Sequence, residues 1–379
     1  MIMKKWLLGI SCSIMIACGD NEKKESINPY ADFNISMDTI MVDSGNEILM
    51  AASNSYSHAI TADLSRLYNW DPKSSKIETV DLDELVLLEK TNFEKEGPNG
   101  VGQNAYVLKI FEKDKLAFVG WDSKIAITDL KGKVVKRIQL DEPWMIEGLE
   151  EKGSLSFIDF SDDGKEIYCG LSNFEKLNSD ILKLNLINQT RKVIELPEFE
   201  KRERFRVSWV SEDGMGKSMS YPGLNMVRWK GQMLFWTNVL NSIYRYNPQQ
   251  DSLFLHRYNN ILTANEKTGT YKNDVSTQQE IQQVSAQMRE EVNFTKVIWD
   301  EKNQVFYRFT YFTLPKVADE ELKYRTFISV LNPDFELIGE KEITDLGINM
   351  PNVQFVKDGK IYLFLNLDDE LAYVRLTIK

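Results

Sequence analysis

The stretch Met226–Tyr258 reads MVRWKGQMLFWTNVLNSIYRYNPQQDSLFLHRY. Two short apolar runs flank a Lys-Gly turn, and two more flank an Asn-Pro turn. Apolar runs that are separated by such turn residues are typical of β-hairpins. The stretch therefore predicts two consecutive hairpins, which together make a sheet of four antiparallel strands.

The same double hairpin recurs along the chain. The first hairpin of each copy lies at 35–52, 106–121, 155–171, 225–238, 296–312 and 352–367. The second hairpin follows at 66–82, 124–140, 180–196, 242–258 and 326–343, and the sixth copy has a single strand at 371–379. A four-stranded unit that repeats along a chain is typical of β-propellers. The sequence therefore predicts an all-β fold, a six-bladed propeller of four-stranded blades.

The short sixth copy predicts how the ring closes. A blade without its outer strand would leave an open edge, which promotes aggregation. Another segment must supply that strand, and 32–42 is the obvious donor. The sequence leaves open whether 35–42 closes the last blade or begins the first.

The N-terminus predicts export and a lipid anchor. Lys4 and Lys5 precede an apolar run at 6–17 that suits a signal peptide and is too short to span a bilayer. Met15-Ile16-Ala17-Cys18 resembles the bacterial lipobox, and by that resemblance Cys18 is the lipidated first residue of the mature protein. An ordinary signal peptide with an incidental cysteine is the alternative. Gly19 after Cys18 points to the outer membrane. We expect a signal peptide at 1–17, a flexible tether at 18–31 and the propeller at 32–379.

Composition excludes some partners. The formal net charge of −11 argues against nucleic acid and anionic lipid surfaces, both of which require basic patches. With Cys12 in the leader and Cys18 lipidated, Cys169 has no partner, so we expect a buried, inert thiol and no disulfide. Only two histidines exist, and HExxH and CxxC motifs are absent from the sequence, so we expect no metal and no cofactor. His58 lies in a predicted polar loop.

One helix is predicted within the longest insert, at about 276–292. Thr277 and Glu280 have the spacing of a capping box. The apolar residues of the segment fall on one helical face, at Ile281, Val284, Met288 and Val292. We expect this face to pack on the propeller; a lid or a partner-binding helix is the alternative.

Basic residues and tryptophans are the candidates for contacts with a ligand. The basic run KRERFR at 201–206 is either a solvated loop or an anion-recognition patch at one mouth of the propeller. Tryptophans at strand positions (Trp121, Trp236 and Trp299) should pack in the core, whereas those in connections could stack on a sugar or peptide. The predicted ligand or partner surface consists of Arg202, Arg204, Arg206, Trp209 and Asn99.

Several segments together indicate a family. Besides the leader and the six double hairpins, these are EGPNG at 96–100, the helical insert, VIWD at 297–300 and YRF at 307–309. The chain resembles the uncharacterised TolB-like six-bladed propeller lipoproteins of Gram-negative bacteria, of the domain-of-unknown-function 4221 type. The resemblance implies the fold and a cell-envelope location. It implies no catalytic residue.

Two functions follow from these features. The leading hypothesis is a lipid-anchored, monomeric propeller that binds or scaffolds an unidentified protein or glycan of the cell envelope, without catalysis. The alternative is a glycan hydrolase or lyase, which would place convergent carboxylates with perturbed pKa values in the central funnel. The contents of the funnel would therefore distinguish the two hypotheses.

Overall fold

The computed structural model describes residues 28–49, 57–149, 151, 153–173, 177–315, 321–368 and 370–379. These residues contain six four-stranded antiparallel sheets, which are the blades of a β-propeller. The six-bladed fold predicted from the sequence is thus confirmed. The predicted signal peptide, Cys18 and most of the predicted tether lie outside the described residues.

Three blades come from the N-terminal half of the chain. Blade one contains β2 (His58–Ile60), β3 (Arg66–Asp71), β4 (Lys76–Asp81) and β5 (Val86–Asn92). Blade two contains β6 (Ala105–Phe111), β7 (Lys115–Gly120), β8 (Lys124–Asp129) and β9 (Val134–Gln139). A single helical turn, α1 (Pro143–Ile146), leads to blade three, with β10 (Ser154–Phe160), β11 (Glu166–Ser172), β12 (Ile181–Asn185) and β13 (Thr190–Ile194).

The other blades carry the larger insertions. A 3-10 segment (Pro197–Phe205) and the hairpin β14 (Val207–Val210) and β15 (Lys217–Ser220) precede blade four, with β16 (Leu224–Trp229), β17 (Gln232–Thr237), β18 (Ile243–Asn247) and β19 (Ser252–His256). Helix α2 (Gln278–Arg289) precedes blade five, with β20 (Asn293–Asp300), β21 (Val305–Thr313), β22 (Tyr324–Leu331) and β23 (Leu337–Glu342). A short 3-10 turn (Thr344–Leu346) leads to blade six, with β24 (Val353–Lys357), β25 (Lys360–Leu367) and β26 (Glu370–Ile378).

The outer strand of blade six is β1 (Ile35–Met41), from the other end of the chain. It pairs antiparallel with β26, from Ile35 opposite Ile378 to Met41 opposite Ala372. Just beyond the strands, Asn34 and Lys379 exchange backbone hydrogen bonds of 2.9 and 2.8 Å. The question that the sequence left open is therefore answered: this segment closes the ring.

Blade one differs from the prediction. The segment 35–52 is not its first hairpin, because β1 pairs with blade six, and the blade begins instead at the three-residue strand β2. His58 lies in β2 rather than in a loop and is half-buried. The apolar run 85–88 belongs to a turn and to outer strand β5, where Leu87 packs against buried Leu67 and Val80.

The position of a strand in its blade determines its pattern of burial. In blade two the middle strands β7 and β8 each contain four consecutive buried residues, because neighbouring blades cover both of their faces. Outer strand β9 is mostly exposed. Inner strands of adjacent blades, such as β10 and β16, contact each other around the central channel.

The two faces of the ring differ in their connections. Because the strands alternate in direction, the connections between blades and those between second and third strands all emerge on one face. We call it the long-connection face; its segments include 93–104, 140–153, 195–223 and 257–292. Turns on the opposite face have five residues or fewer. We call that side the short-turn face.

Helix α2 packs on the propeller as predicted. The hydroxyl of Thr277 accepts a hydrogen bond from the backbone N–H of Glu280 at 3.2 Å, and the Glu280 carboxylate accepts one from the N–H of Ser276. Ile281 and Met288 are buried in the core cluster shared with blade four. The apolar face of the helix is therefore occupied, which favours the packing interpretation over a lid.

Candidate functional site

Arg202 of the predicted basic patch is inside the protein. Its side chain is 2% exposed and lies on the buried side of the 3-10 segment. The guanidinium donates to the carbonyls of Pro222 (2.9 Å) and Asn178 (2.7 Å) and to the hydroxyl of Ser179. Burial lowers the pKa of Arg202 to about 10, which leaves it charged at neutral pH. The prediction that Arg202 belongs to a ligand surface is wrong, because backbone carbonyls use its donors.

Three other members of the predicted surface, Arg204, Arg206 and Trp209, join the two largest insertions. Arg204 donates to the carbonyl of Thr268 at 3.0 Å, and the Trp209 indole N–H donates to the carbonyl of Ser276 at 3.1 Å. Arg206 lies 2.8 Å from the carboxylate of Glu203 in its own segment and 3.7 Å from that of Asp274 in the other. These side chains hold segment 257–292 against segment 195–223, so a structural role accounts for their contacts.

Asn99 lies at the rim of the ring. Its side-chain oxygen accepts a hydrogen bond from the backbone N–H of Val134, on outer strand β9, at 3.3 Å. Arg137 of the same strand donates to the carbonyls of Pro98 and Gly100 at 3.0 and 2.9 Å. The Glu96–Gly100 loop is therefore fixed to the outer edge of blade two, away from the channel mouth.

Tryptophan positions agree with the prediction in two of three cases. Trp236 is buried within β17, and Trp299 packs against Trp229 and the other aromatic side chains of its cluster. Trp121 is instead 74% exposed and stacks on Tyr106, with ring centroids 3.7 Å apart. The prediction of core packing is wrong for Trp121 because β7 ends at Gly120, so the side chain belongs to the turn that follows.

Exposed apolar side chains are concentrated on the long-connection face. There they include Ile48, Trp121, Met215, Ile261, Leu322 and Met350. Met215 and Ile261 are 84% and 83% exposed. On the short-turn face, the described large apolar residues that are exposed are Leu130 and Ile187. The two faces therefore offer different surfaces to a partner.

The first described residues lie beside the short-turn face. Asn28 donates its side-chain amide to the carbonyl of Ile338, near the start of β23, at 2.6 Å. Gly339 of that strand leaves room for Tyr30, whose backbone oxygen would lie 2.3 Å from a Cβ atom at this position. The part of the predicted tether that the structure describes is thus attached to blade five.

Four charged side chains from the inner strands meet in the central channel. Lys109 of β6 lies 3.3 Å from the carboxylate of Asp159 on β10, and Arg228 of β16 lies 3.5 Å from the same carboxylate. Arg228 also reaches the carbonyl of Ile110 in blade two. Lys296 of β20 donates to the carbonyl of Gln354 on β24 at 3.0 Å. We call Lys109, Asp159, Arg228 and Lys296 the channel cluster.

The charges of the channel cluster are unbalanced. Burial alone would raise the pKa of Asp159, but the charges of Lys109 and Arg228 hold that pKa below its usual value. Asp159 is therefore ionised at neutral pH. Burial, and secondly the charge of Lys109, lower the pKa of Lys296 to about 8, so most of this amine is protonated at neutral pH. The cluster thus combines three cations with one carboxylate.

A cleft between blades three and four leads to Arg228 from the short-turn face. Its volume is about 390 Å³, and its lining includes Arg228, Glu166, Tyr168 and Gln232. Asp162, on the β10–β11 turn, accepts a hydrogen bond from Arg228 at 3.1 Å. Asp162 is a turn residue that also helps to position the arginine.

Sequence reasoning did not identify the channel cluster. A local signal was available: Lys109, Arg228 and Lys296 each interrupt an inner strand that is otherwise largely apolar (AYVLKIF, LNMVRW and NFTKVIWD). Across the described residues, no three His, Cys, Asp or Glu side chains are close enough together to hold a metal ion. In the same part of the chain, no helix combines the length and apolar character needed to cross a membrane.

The chain and its fold are similar to known proteins. The family profile described as Domain of unknown function (DUF4221) matches residues 31–342. No curated protein matches the chain. A crystal structure of a DUF4221 member from Bacteroides vulgatus is 15% identical, covers 93% of this chain and 99% of its own, and superposes with a TM-score of 0.63. A protein from Bacteroides fragilis, described as exported, is 8% identical, with coverages of 91% and 95% and a TM-score of 0.52.

Proposed function

The chain belongs to the DUF4221 family, and from that membership we propose that it is an exported, lipid-anchored propeller that binds a protein of the cell envelope. The partner would dock on the long-connection face. The observation that carries this proposal is that most of the exposed large apolar side chains outside the strands lie on that face, which makes it the more apolar of the two faces.

The location rests on two supports. One structural relative, the Bacteroides fragilis protein, is described as exported, and this chain has its own predicted signal peptide followed by Cys18. The described chain begins beside the short-turn face, where Asn28 contacts β23. The proposed docking face is the opposite one, the long-connection face.

The content of the channel favours binding over glycan cleavage. Glycosidases generally use two carboxyl groups, one of which must donate a proton. Among the described residues of the channel cluster, Asp159 is the only carboxylate, and its pKa is lowered by Lys109 and Arg228. A carboxylate that stays ionised at neutral pH is a poor proton donor. We therefore propose a binding protein as the better assignment.

The docking face is tested by isolating the full-length protein with its partners from cross-linked envelopes. The test variant combines Trp121→Ser, Met215→Ser and Ile261→Ser on the long-connection face. The matched control combines Leu130→Ser and Ile187→Ser on the short-turn face. We expect a reproducible protein partner with the wild type and the control, and its loss with the test variant.

Two other results would contradict this proposal. If the partner persists with the test variant and disappears with the control, the docking face is the short-turn face. If the bound material is glycan rather than protein, the exposed Trp121–Tyr106 stack becomes the candidate sugar platform. The anchor is tested separately, because Cys18→Ala should leave the protein unlipidated and soluble after export.

A further inference from the structure

The channel cluster has more positive charge than its own carboxylate neutralises. We infer that the channel is a binding site for a small, doubly charged oxyanion of the phosphate type. Asp159 balances one of the three cations, and two positive charges remain. Asp162 also contacts Arg228, but its side chain is 63% exposed, so water screens most of its effect. A phosphate group would balance the remaining charge.

Lys296 is the strongest evidence for a missing counter-ion. Within the described part of the chain, no carboxylate lies within ion-pair distance of its amine, and its hydrogen-bond acceptor is the carbonyl of Gln354. The charge of Lys109 acts on it from blade two and opposes its protonation. A cation in such surroundings is unfavourable unless an anion accompanies it. The chain is acidic overall, so this local excess of cations is unlike the rest of the molecule.

The geometry suits an oxyanion that enters from solvent. The side chains of Lys109 and Arg228 are 32% and 25% exposed although they lie on inner strands, so water reaches them. Arg228 also lines the cleft that opens on the short-turn face. Its planar guanidinium provides several donors in a fixed arrangement, which matches the oxygens of phosphate. The two lysines add ammonium groups from blades two and five.

The test is calorimetric titration of the full-length protein, in detergent, with inorganic phosphate and with glycerol phosphate. The binding variant is Lys296→Gln. The matched control is Lys192→Gln, which removes an exposed lysine from outer strand β13. We expect Lys296→Gln to weaken phosphate binding at least tenfold and the control to bind as the wild type does. Asp159→Asn removes the competing carboxylate and should strengthen binding.

The melting temperature provides a second measurement. Its response to phosphate distinguishes anion binding by Lys296 from a purely structural role. In buffer without phosphate, Lys296→Gln should melt no lower than the wild type, because it removes a charge that lacks a counter-ion. Added phosphate should raise the melting temperature of the wild type and leave that of Lys296→Gln unchanged. Wild-type affinity should also fall as the pH rises above about 8, where Lys296 loses its proton.

Each outcome has a definite meaning. Binding of inorganic phosphate supports a site for the free ion, and binding of glycerol phosphate alone supports a site for a phosphate ester. If the wild type binds neither probe, or if Lys296→Gln binds as tightly as the wild type, the inference is overturned. These results do not depend on the docking face, because the titrations contain no protein partner.

Discussion

Arg375 on β26 donates two hydrogen bonds to the carboxylate of Asp38 on β1, and the bond from Nε measures 2.9 Å. The two residues are 337 positions apart in the chain. Their pairing lies at the middle of the seven-residue ladder that closes the ring. We therefore expect β1 to be indispensable to blade six, although it is encoded before blade one.

Removal of residues 28–42 tests this closure. Without β1, the backbone groups of β26 would be unpaired along an exposed edge, and such edges promote association. We expect a large loss of thermal stability by circular dichroism and the appearance of oligomers in gel filtration. A chain that begins at residue 28 is the control. An equally stable, monomeric truncation would show that the ring does not need this strand.

Arg202 should contribute more to stability than Arg204, although they are two residues apart. Replacing buried Arg202 with Met would leave the carbonyls of Pro222 and Asn178 without these donors. We expect a loss of about 3 kcal/mol in the free energy of unfolding. Arg204→Met, at an exposed position, should cost less than about 1 kcal/mol. Urea denaturation of both variants measures the difference, and equal losses would show that burial does not determine their roles.

Lys267 should make stability depend on pH. It is 4% exposed, and its ammonium donates to the carbonyl of Met288 at the end of α2. Burial lowers its pKa to about 8, although the charge of Glu291 opposes that change. Between about pH 8 and 10 the unfolded chain binds more protons at this residue than the folded chain does. The free energy of unfolding should therefore rise with pH in this window, by at most about 1.4 kcal/mol per unit.

The comparison with Lys267→Met isolates this effect, because other groups titrate equally in both proteins. We expect the stability of the wild type, relative to the variant, to increase between pH 8 and 10 in urea denaturation. If the unfolding free energies of the two proteins change in parallel with pH over this range, the pKa of Lys267 is the same in the folded and unfolded states.

Cys169 should report the opening of blade three. Its side chain is fully buried in β11, and burial raises the pKa of the thiol. Reaction with a thiol reagent requires both access and the thiolate form. In a protein with Cys12 and Cys18 replaced, we expect almost no labelling in native buffer and complete labelling in denaturant. Rapid labelling of the native protein would contradict the burial of this residue.

The sequence was most informative where structure is local. Blades two to six follow alternating apolar strands and short turns, each of which can be recognised within about 20 residues. Blade one was misread for a physical reason: β1 finds its partner in β26, at the far end of the chain, and β2 has only three residues. Local patterns contain no information about such a distant pairing.

Functional residues were harder to predict than the fold. Arg202, Arg204 and Arg206 form the most basic run of the sequence, but backbone carbonyls and neighbouring polar groups satisfy them. Carbonyl acceptors belong to every residue and leave no signal in a sequence. Lys109, Arg228 and Lys296 are separated by more than 60 residues from one another, and the ring alone brings them together. Their alignment depends on the placement of blades two, four and five in the ring.

Ring closure by β1 also sets the order of folding. During synthesis, β1 is made before every other described strand, and β26 is made last among them. The first five blades can form from neighbouring segments as they emerge, but blade six must wait for a partner from the opposite end. A chain that stops before β26 therefore remains an open arc, with β1 unpaired and available to proteases or to other chains. The ring therefore closes only after the whole domain has been synthesised.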